Sequence, residues 1–307
     1  MDVCTLSTNY DYNTEGELKM CGESGSQDVL HTQNIEGVTQ RCEIGKIMSS
    51  EIVTIAPENT LYEAARLMGE KHVGSLIVMK YATAVGIITE RDLLRQVVNK
   101  EIALEKDWLA GGVSIKEEKV EKTMSYPLIT IPIESSIKKA AQIMIEKRIR
   151  RLPVHEHGKV VGIITAADLI RCLPETKEVM QPWFEVDYFM SKHVISADEE
   201  TSVEGVAKIM GEKSIGSVII TSKGEPIGIF TERDLLTKFL AEDKSLKIAV
   251  GKACSSPIIT APLGICIHDA AAVMTSKHIK RLPITKDNKL VGVLSARDLV
   301  EAYARAK

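Results

Sequence analysis

The chain has 307 residues, 44% hydrophobic and 26% charged, a balance that fits a globular domain and excludes fibrous or low-complexity classes. Aromatics supply only 4%, so the core must be aliphatic, and neither an apolar run near the ~18 residues of a membrane span nor a charged-then-apolar leader is found. The formal charge of −3 hides an acidic start: residues 1–43 hold eight acids and two bases, the remainder 34 acids and 37 bases, which suits a small anionic ligand but not nucleic acid.

Residues 1–43 are rich in Ser, Asn and Gly with few clustered apolar residues, and they read as an acidic, disordered tail. The six cysteines (Cys4, Cys21, Cys42, Cys172, Cys254, Cys266) are scattered without a C-x-x-C pair. That usage predicts a reducing cytoplasm rather than disulfides or a zinc site.

The first ordered unit is expected over 44–98. A short β-branched run ends at Thr54; Leu61, Ala64, Ala65 and Met68 then recur at helical spacing, an apolar helix face. Two apolar runs, Ser75-Leu76-Ile77-Val78 and Val85-Gly86-Ile87-Ile88, are separated by a turn and predict a hairpin. Thr89 opens a second helix carrying Leu93 and Leu94. The unit reads β-α-β-β-α.

The same pattern returns over 119–174, 184–241 and 249–304. The hydroxyl residue of the first strand recurs as Thr130, Ser196 and Thr260, followed ten residues on by Ala140, Val206 and Ala270 and then by Met144, Met210 and Met274. The closing motif, Gly-h-h-Thr/Ser-x-x-Asp, ends at Asp92, Asp168, Asp234 and Asp298, each three residues after Thr89, Thr165, Thr231 or Ser295. Spacings that match in four copies indicate duplication. The longest linker, Gln96 to Lys119, carries Trp108, Gly111 and Gly112, and Leu173 to Glu185 carries Pro174, Pro182, Trp183 and Phe184.

The copies alternate. Units 1 and 3 read Gly74-Ser75 and Gly216-Ser217 before the middle strand and close in Thr-Glu-Arg-Asp. Units 2 and 4 read Arg150-Arg151-Leu152-Pro153 and Lys280-Arg281-Leu282-Pro283. A pair was therefore duplicated as a block, and one unit of about 55 residues would bury little apolar surface alone.

A hydroxyl residue followed three later by an acid is a helix capping box, with the carboxylate set against the positive helix end. The same carboxylate is placed to accept two hydrogen bonds from a ribose diol, each charge-assisted bond contributing about 1.5–3 kcal/mol. Both readings stand at this point.

The order of strand, helix, hairpin and Gly-h-h-Thr/Ser-x-x-Asp resembles the cystathionine β-synthase (CBS) domain family over residues 44–304. The resemblance implies an α/β (α+β) fold of four tandem βαββα domains in two pseudo-twofold pairs, with sheets and helices packed at the pair interface. It implies ribose ligands at Asp92, Asp168, Asp234 and Asp298, with Thr89, Thr165, Thr231 and Ser295 beside them and adenine walls at Thr54, Thr130, Ser196 and Thr260. The basic pairs Arg150-Arg151 and Lys280-Arg281 resemble those of the γ subunit of AMP-activated protein kinase, where such residues reach phosphate; guanidinium geometry suits that role. A solvated strand start is the plain alternative. Arg91, Arg233 and Arg297 are placed either to reach phosphate or to pair with Glu90 or Glu232.

Other candidates carry less. His155-x-His157 adjoins the turn at Gly158 without acids in a metal pattern, His72 and His278 read as helix-end residues, and the recurring methionines read as core. Unit 3 has Ser196-Ala197-Asp198-Glu199 where the other units place a proline, and its site is expected to be the least occupied of the four. The expected function is non-catalytic: a cytoplasmic regulator that binds AMP, ADP or ATP without a further cofactor or metal. Its other partners would be a second copy of the chain and an unknown regulated protein, reached through the tail. S-adenosylmethionine or methylthioadenosine sensing, and scaffolding with empty sites, are the alternatives. No phosphate loop or nucleophile–base set supports an enzyme.

Overall fold

A computed structural model describes residues 43–99, 117–172, 185–287 and 289–305. The tail to residue 42, most of the long linker, and the Pro174–Phe184 stretch lie outside the described residues, as do Cys4, Cys21 and Cys42.

Unit 1 comprises helix α1 (Ile44–Ile47), strand β1 (Thr54–Ile55), helix α2 (Leu61–Glu70), strands β2 (Ser75–Lys80) and β3 (Thr83–Thr89), and helix α3 (Glu90–Asn99). Unit 2 has β4 (Ile131–Pro132), α4 (Ile137–Glu146), β5 (Arg151–Glu156), β6 (Lys159–Thr165) and α5 (Ala166–Ile170). Unit 3 has β7 (Ser196–Asp198), α6 (Val203–Glu212), β8 (Ser217–Ser222), β9 (Glu225–Thr231) and α7 (Glu232–Leu235), the last continuing as a π-helical turn over Leu236–Leu240. Unit 4 has β10 (Ala261–Pro262), α8 (Ile267–Ser276), β11 (Arg281–Lys286), β12 (Lys289–Ser295) and α9 (Ala296–Arg305).

Each unit holds one three-stranded sheet. The first strand runs parallel to the second, and the second pairs antiparallel with the third: Thr54 faces Ile77, and Leu76 faces Ile88. Leu76, Ile77 and Val78 are all buried, as a strand covered on both faces requires. The first helix of each unit turns Ala64, Ala140, Val206 or Ala270 and Met68, Met144, Met210 or Met274 into the core. These helices start on side-chain caps, Thr60, Ser136, Ser202 and the Cys266 sulfur.

The odd–even difference has a backbone consequence. In units 1 and 3 the amides of Ile77 and Ile219 donate to the carbonyls of Val53 and Ile195. The matching residues in units 2 and 4 are Pro153 and Pro283, which carry no N–H. Strands β4 and β10 accordingly begin one residue later than β1 and β7, leaving Thr130 and Thr260 just outside them.

Within a pair the units exchange their leading segments. Ser49 of unit 1 bridges to Ile163 of unit 2, and Ser125 of unit 2 bridges to Ile87 of unit 1. Ser191 and Ser255 do the same with Val293 and Ile229 in the second pair. A sulfur anchors every exchange. Replacing a hydrogen by Cβ at Gly86, Gly162, Gly228 or Gly292 would bring it within 2.4–2.9 Å of the sulfur of Met124, Met48, Cys254 or Met190.

Helices join the pairs to one another. Units 2 and 4 share one continuous core in which α9 packs on α4 and α5. Units 1 and 3 interlock, Leu94 entering the core of unit 3 and Leu236 that of unit 1. The helix packing expected inside each pair thus lies between the pairs, because the exchanged segments and sheets already occupy the inner interface. Four units close a ring within one chain, 1–2–4–3. Among the described residues no helix is long and apolar enough to cross a membrane.

Candidate functional site

All four Thr/Ser-x-x-Asp motifs form reciprocal caps. The Thr89, Thr165, Thr231 and Ser295 amides donate to Oδ2 of Asp92, Asp168, Asp234 and Asp298 at 2.7–2.9 Å. The Asp amides in turn donate to the hydroxyl oxygens at 3.2–3.4 Å. One carboxylate oxygen of each Asp is thus committed to the helix, and the other differs from copy to copy.

Oδ1 of Asp168 pairs with Arg171. Oδ1 of Asp234 pairs with Lys238 at 2.7 Å, and Lys238 also donates to the Ala253 carbonyl at 2.6 Å. The π-helical turn positions that lysine, one of the places where such turns recur at functional sites. Burial raises the pKa of Asp92 against the opposing Thr89 bonds, and raises that of Asp298 against Ser295.

The exchanged segments bring the motifs of paired units together. Ser49 lies on Ile163, two residues before Thr165, and the chain runs from there to Thr54. In the same way it runs from Ser125, which lies on Ile87 near Thr89 and Asp92, to Thr130. Ser191 on Val293, near Ser295 and Asp298, leads to Ser196, and Ser255 on Ile229, near Thr231 and Asp234, leads to Thr260. In the last cleft Ser255 makes the link directly, its Oγ lying 3.4 Å from Asp234 Oδ1. The exchanged segments thus let each candidate cleft draw on two units. Asp198 and Glu199 follow the connection that starts near Asp298 rather than Asp234, and the Glu199 side chain bonds to Ser222.

Where the four units meet, the basic pairs converge on two buried glutamates. Glu90 and Glu232 are the first residues of α3 and α7, 7% and 5% exposed. Glu90 receives Arg151 at 3.2 Å and Arg233 at 3.0 Å. Glu232 receives Arg91 at 2.9 Å and Arg150 at 3.0 Å. Three of these four ion pairs run between the two pairs of units; Arg151–Glu90 lies inside the first.

Lys280 and Arg281 complete the cluster differently. Among the described residues their side chains make no hydrogen bond or ion pair to a carboxylate. Arg281 lies over Gly216 beside Glu232: a Cβ on Gly216 would sit 2.1 Å from its Nη2 and 2.8 Å from Glu232 Oε2. Arg151 covers Gly74 in the same way at 2.2 Å. The glycines of the odd units are therefore the seats of the even units' arginines.

Six cations thus surround two carboxylates. Burial alone would raise the pKa of Glu232, but Arg150 and Arg91 outweigh it and bring it to about 2. Arg151 and Arg233 likewise hold Glu90 below the ordinary range despite burial. On the cationic side burial lowers Lys280 to about 8, with Arg151 and Arg233 acting in the same direction. Arg281 falls to about 10, burial again leading, opposed by Glu232 and reinforced by Arg150. Lys280 nonetheless keeps contact with solvent. Lys280 thus lies at the exposed edge of a cluster with excess positive charge.

Sequence reasoning found the Asp caps and the basic pairs but assigned no role at this centre to Glu90 and Glu232 beyond partners for neighbouring arginines. It also passed over a recurring sulfur six residues before each first-strand hydroxyl, Met48, Met124, Met190 and Cys254, a signal open to the same spacing argument. Arg297 is half-buried next to Asp298 and takes no part in the described ion pairs. No His/Cys/Asp/Glu group that could hold a metal occurs among the described residues.

The sequence model of the CBS domain matches residues 44–99, 118–175, 185–241 and 250–305. An uncharacterized protein of Methanocaldococcus jannaschii, MJ1404, is 26% identical over 86% of this chain and 62% of its own length. A Methanopyrus kandleri protein, also uncharacterized, is 32% identical over 43% of this chain and 62% of its own. The chain thus spans about three-fifths of the length of these curated relatives. Among solved structures, MJ1225 of M. jannaschii, described as a proposed archaeal homologue of γ-AMPK, superposes with a TM-score of 0.70 at 21% identity, covering 85% of this chain and all of that one.

Proposed function

The chain belongs to the CBS domain family, and from that premise we propose that it is a non-catalytic regulator that binds adenosine nucleotides. The sugar lies against the Thr/Ser-x-x-Asp caps and the phosphates point to the central cations. The observation that carries this reading is the cluster of six cations around two carboxylates at the meeting point of all four units. Surplus positive charge held close together and partly out of water is costly, and a polyanion relieves it. The capping role of the Asp residues does not compete with ribose binding, because capping occupies Oδ2 and leaves Oδ1 as acceptor.

Two clefts are handicapped by their own side chains: Asp168 by Arg171 and Asp234 by Lys238. Asp92 and Asp298 are the stronger ribose positions. Since three of the central ion pairs join the two pairs of units, phosphate at that point alters their docking, and a regulated protein would read that change.

Titration calorimetry with AMP, ADP, ATP and S-adenosylmethionine tests the reading. Phosphorylated nucleotides should bind and the sulfonium compound should not, since it gains nothing from the arginines. Asp298→Ala should weaken nucleotide binding about 10- to 100-fold, the equivalent of about 1.4–2.8 kcal/mol. Binding of S-adenosylmethionine alone, or an unchanged affinity in the Asp298 variant, would overturn it.

A further inference from the structure

Glu90 and Glu232 hold the arginines that the nucleotide reading assigns to phosphate. Each carboxylate is nearly sealed from water, and each grips one guanidinium from a basic pair (Arg151 or Arg150) and one from the opposite odd unit (Arg233 or Arg91). The even units carry Ala166 and Ala296 at the same helix position, so the carboxylates are not needed to start the helix.

We infer that Glu90 and Glu232 are internal stand-ins for phosphate, which a bound polyphosphate must displace from Arg150 and Arg151, and that this exchange releases the Arg150–Glu232 tie between the two pairs of units. The inference rests on the nucleotide reading above and adds the regulation of its phosphate position.

The geometry orders the events. Lys280 and Arg281 hold no carboxylate, so they meet an incoming anion first. Arg150 and Arg151 are committed to glutamate and join only by exchange. The exchange is close to balanced: a charge-assisted contact of guanidinium with carboxylate is traded for one with phosphate. Meanwhile each glutamate keeps a cation from the opposite odd unit, Arg233 for Glu90 and Arg91 for Glu232. What changes most is the link through Arg150, which runs from unit 2 to unit 3. Ligand energy is thereby converted into a change in inter-pair docking, as any ligand-driven shift between two states requires.

Two substitutions separate a latch from a simple field of charge. Glu232→Gln removes the negative charge and should tighten binding under either account. Glu232→Asp keeps the charge but shortens the side chain by one methylene, so it loosens the grip on Arg91 and Arg150 while leaving the field nearly intact. A latch predicts tighter binding in both variants; a field predicts it only in Gln.

The measurement is calorimetric titration of the full chain with inorganic tripolyphosphate and, separately, with ADP. Glu232→Gln should bind tripolyphosphate about 10-fold tighter than the parent and Glu232→Asp at least about threefold tighter. Thermal melts of the unliganded variants would show that both fold. An Asp variant whose affinity equals the parent's, or tripolyphosphate binding by none of the three proteins, overturns the latch. Tripolyphosphate binding that follows the predicted order while ADP fails to bind leaves the latch standing and removes the adenosine reading instead.

Discussion

Arg150-Arg151 and Lys280-Arg281 stand at the same place in the repeat, before the same Leu-Pro step, yet the fold uses them in opposite ways. The first pair is spent on Glu232 and Glu90; the second has no carboxylate of its own and bears the cost, with burial lowering Lys280 to about 8 and Arg281 to about 10. Both glutamates belong to the odd units, and both are claimed by the first pair of units' arginines together with Arg91 and Arg233. Equivalent sequence positions therefore acquire different roles from neighbours more than sixty residues away.

The strongest way to break this comparison is to neutralise one arginine from each pair. Arg151→Gln leaves the buried Glu90 with a single ion partner, and breaking a buried pair from one side costs on the order of 3 kcal/mol. Its melting temperature should drop by several degrees. Arg281→Gln removes surplus positive charge, so its melting temperature should hold or rise while ATP affinity falls about 10- to 100-fold. Equal losses of stability in the two variants would show that Arg281 is structural too.

That division was not legible in the sequence, although much else was. The β-α-β-β-α order follows from local periodicity, and the capping boxes follow from residues three apart, so both are written within one turn of chain. Even the odd–even alternation was visible, but its meaning was not: Gly74 and Gly216 are small because Arg151 and Arg281 lie over them, a contact between units. The exchange of leading segments was hidden for a similar reason. Segments such as 43–49 are too short to carry a period, and each packs on its partner's sheet rather than on its own.

A second test uses acid, and it probes the first pair most directly. Glu232 is held at about 2 in the folded chain, below the roughly 4.3 of an unfolded glutamate. Its contribution is present in full above about pH 4.5 and is lost as the pH falls toward 2. For so buried a group the loss is on the order of 2–3 kcal/mol. Denaturant unfolding followed at pH 5, 4 and 3 should show Glu232→Gln losing less stability across that range than the parent. Parallel curves would mean that Glu232 does not carry the charge that the first basic pair requires.

The smallest effect belongs to the second pair and appears in alkali. Lys280 has a folded pKa of about 8, below the roughly 10.4 of an unfolded lysine, so between those values the unfolded chain binds the extra proton. Stability of the unliganded protein should therefore rise with pH across about 8 to 10, a gain kept modest by the contact of Lys280 with solvent. An anion bound beside Lys280 favours its charged form and reverses the shift. Tripolyphosphate binding at pH 8.5 should then draw protons from solution, seen as a dependence of the calorimetric heat on the ionisation enthalpy of the buffer. Lys280→Gln should abolish that uptake, whereas Arg150→Gln should leave it in place, because among the described residues only the second pair holds no carboxylate in an ion pair. Identical uptake in both variants would place the titrating proton elsewhere and dissolve the distinction between the two pairs.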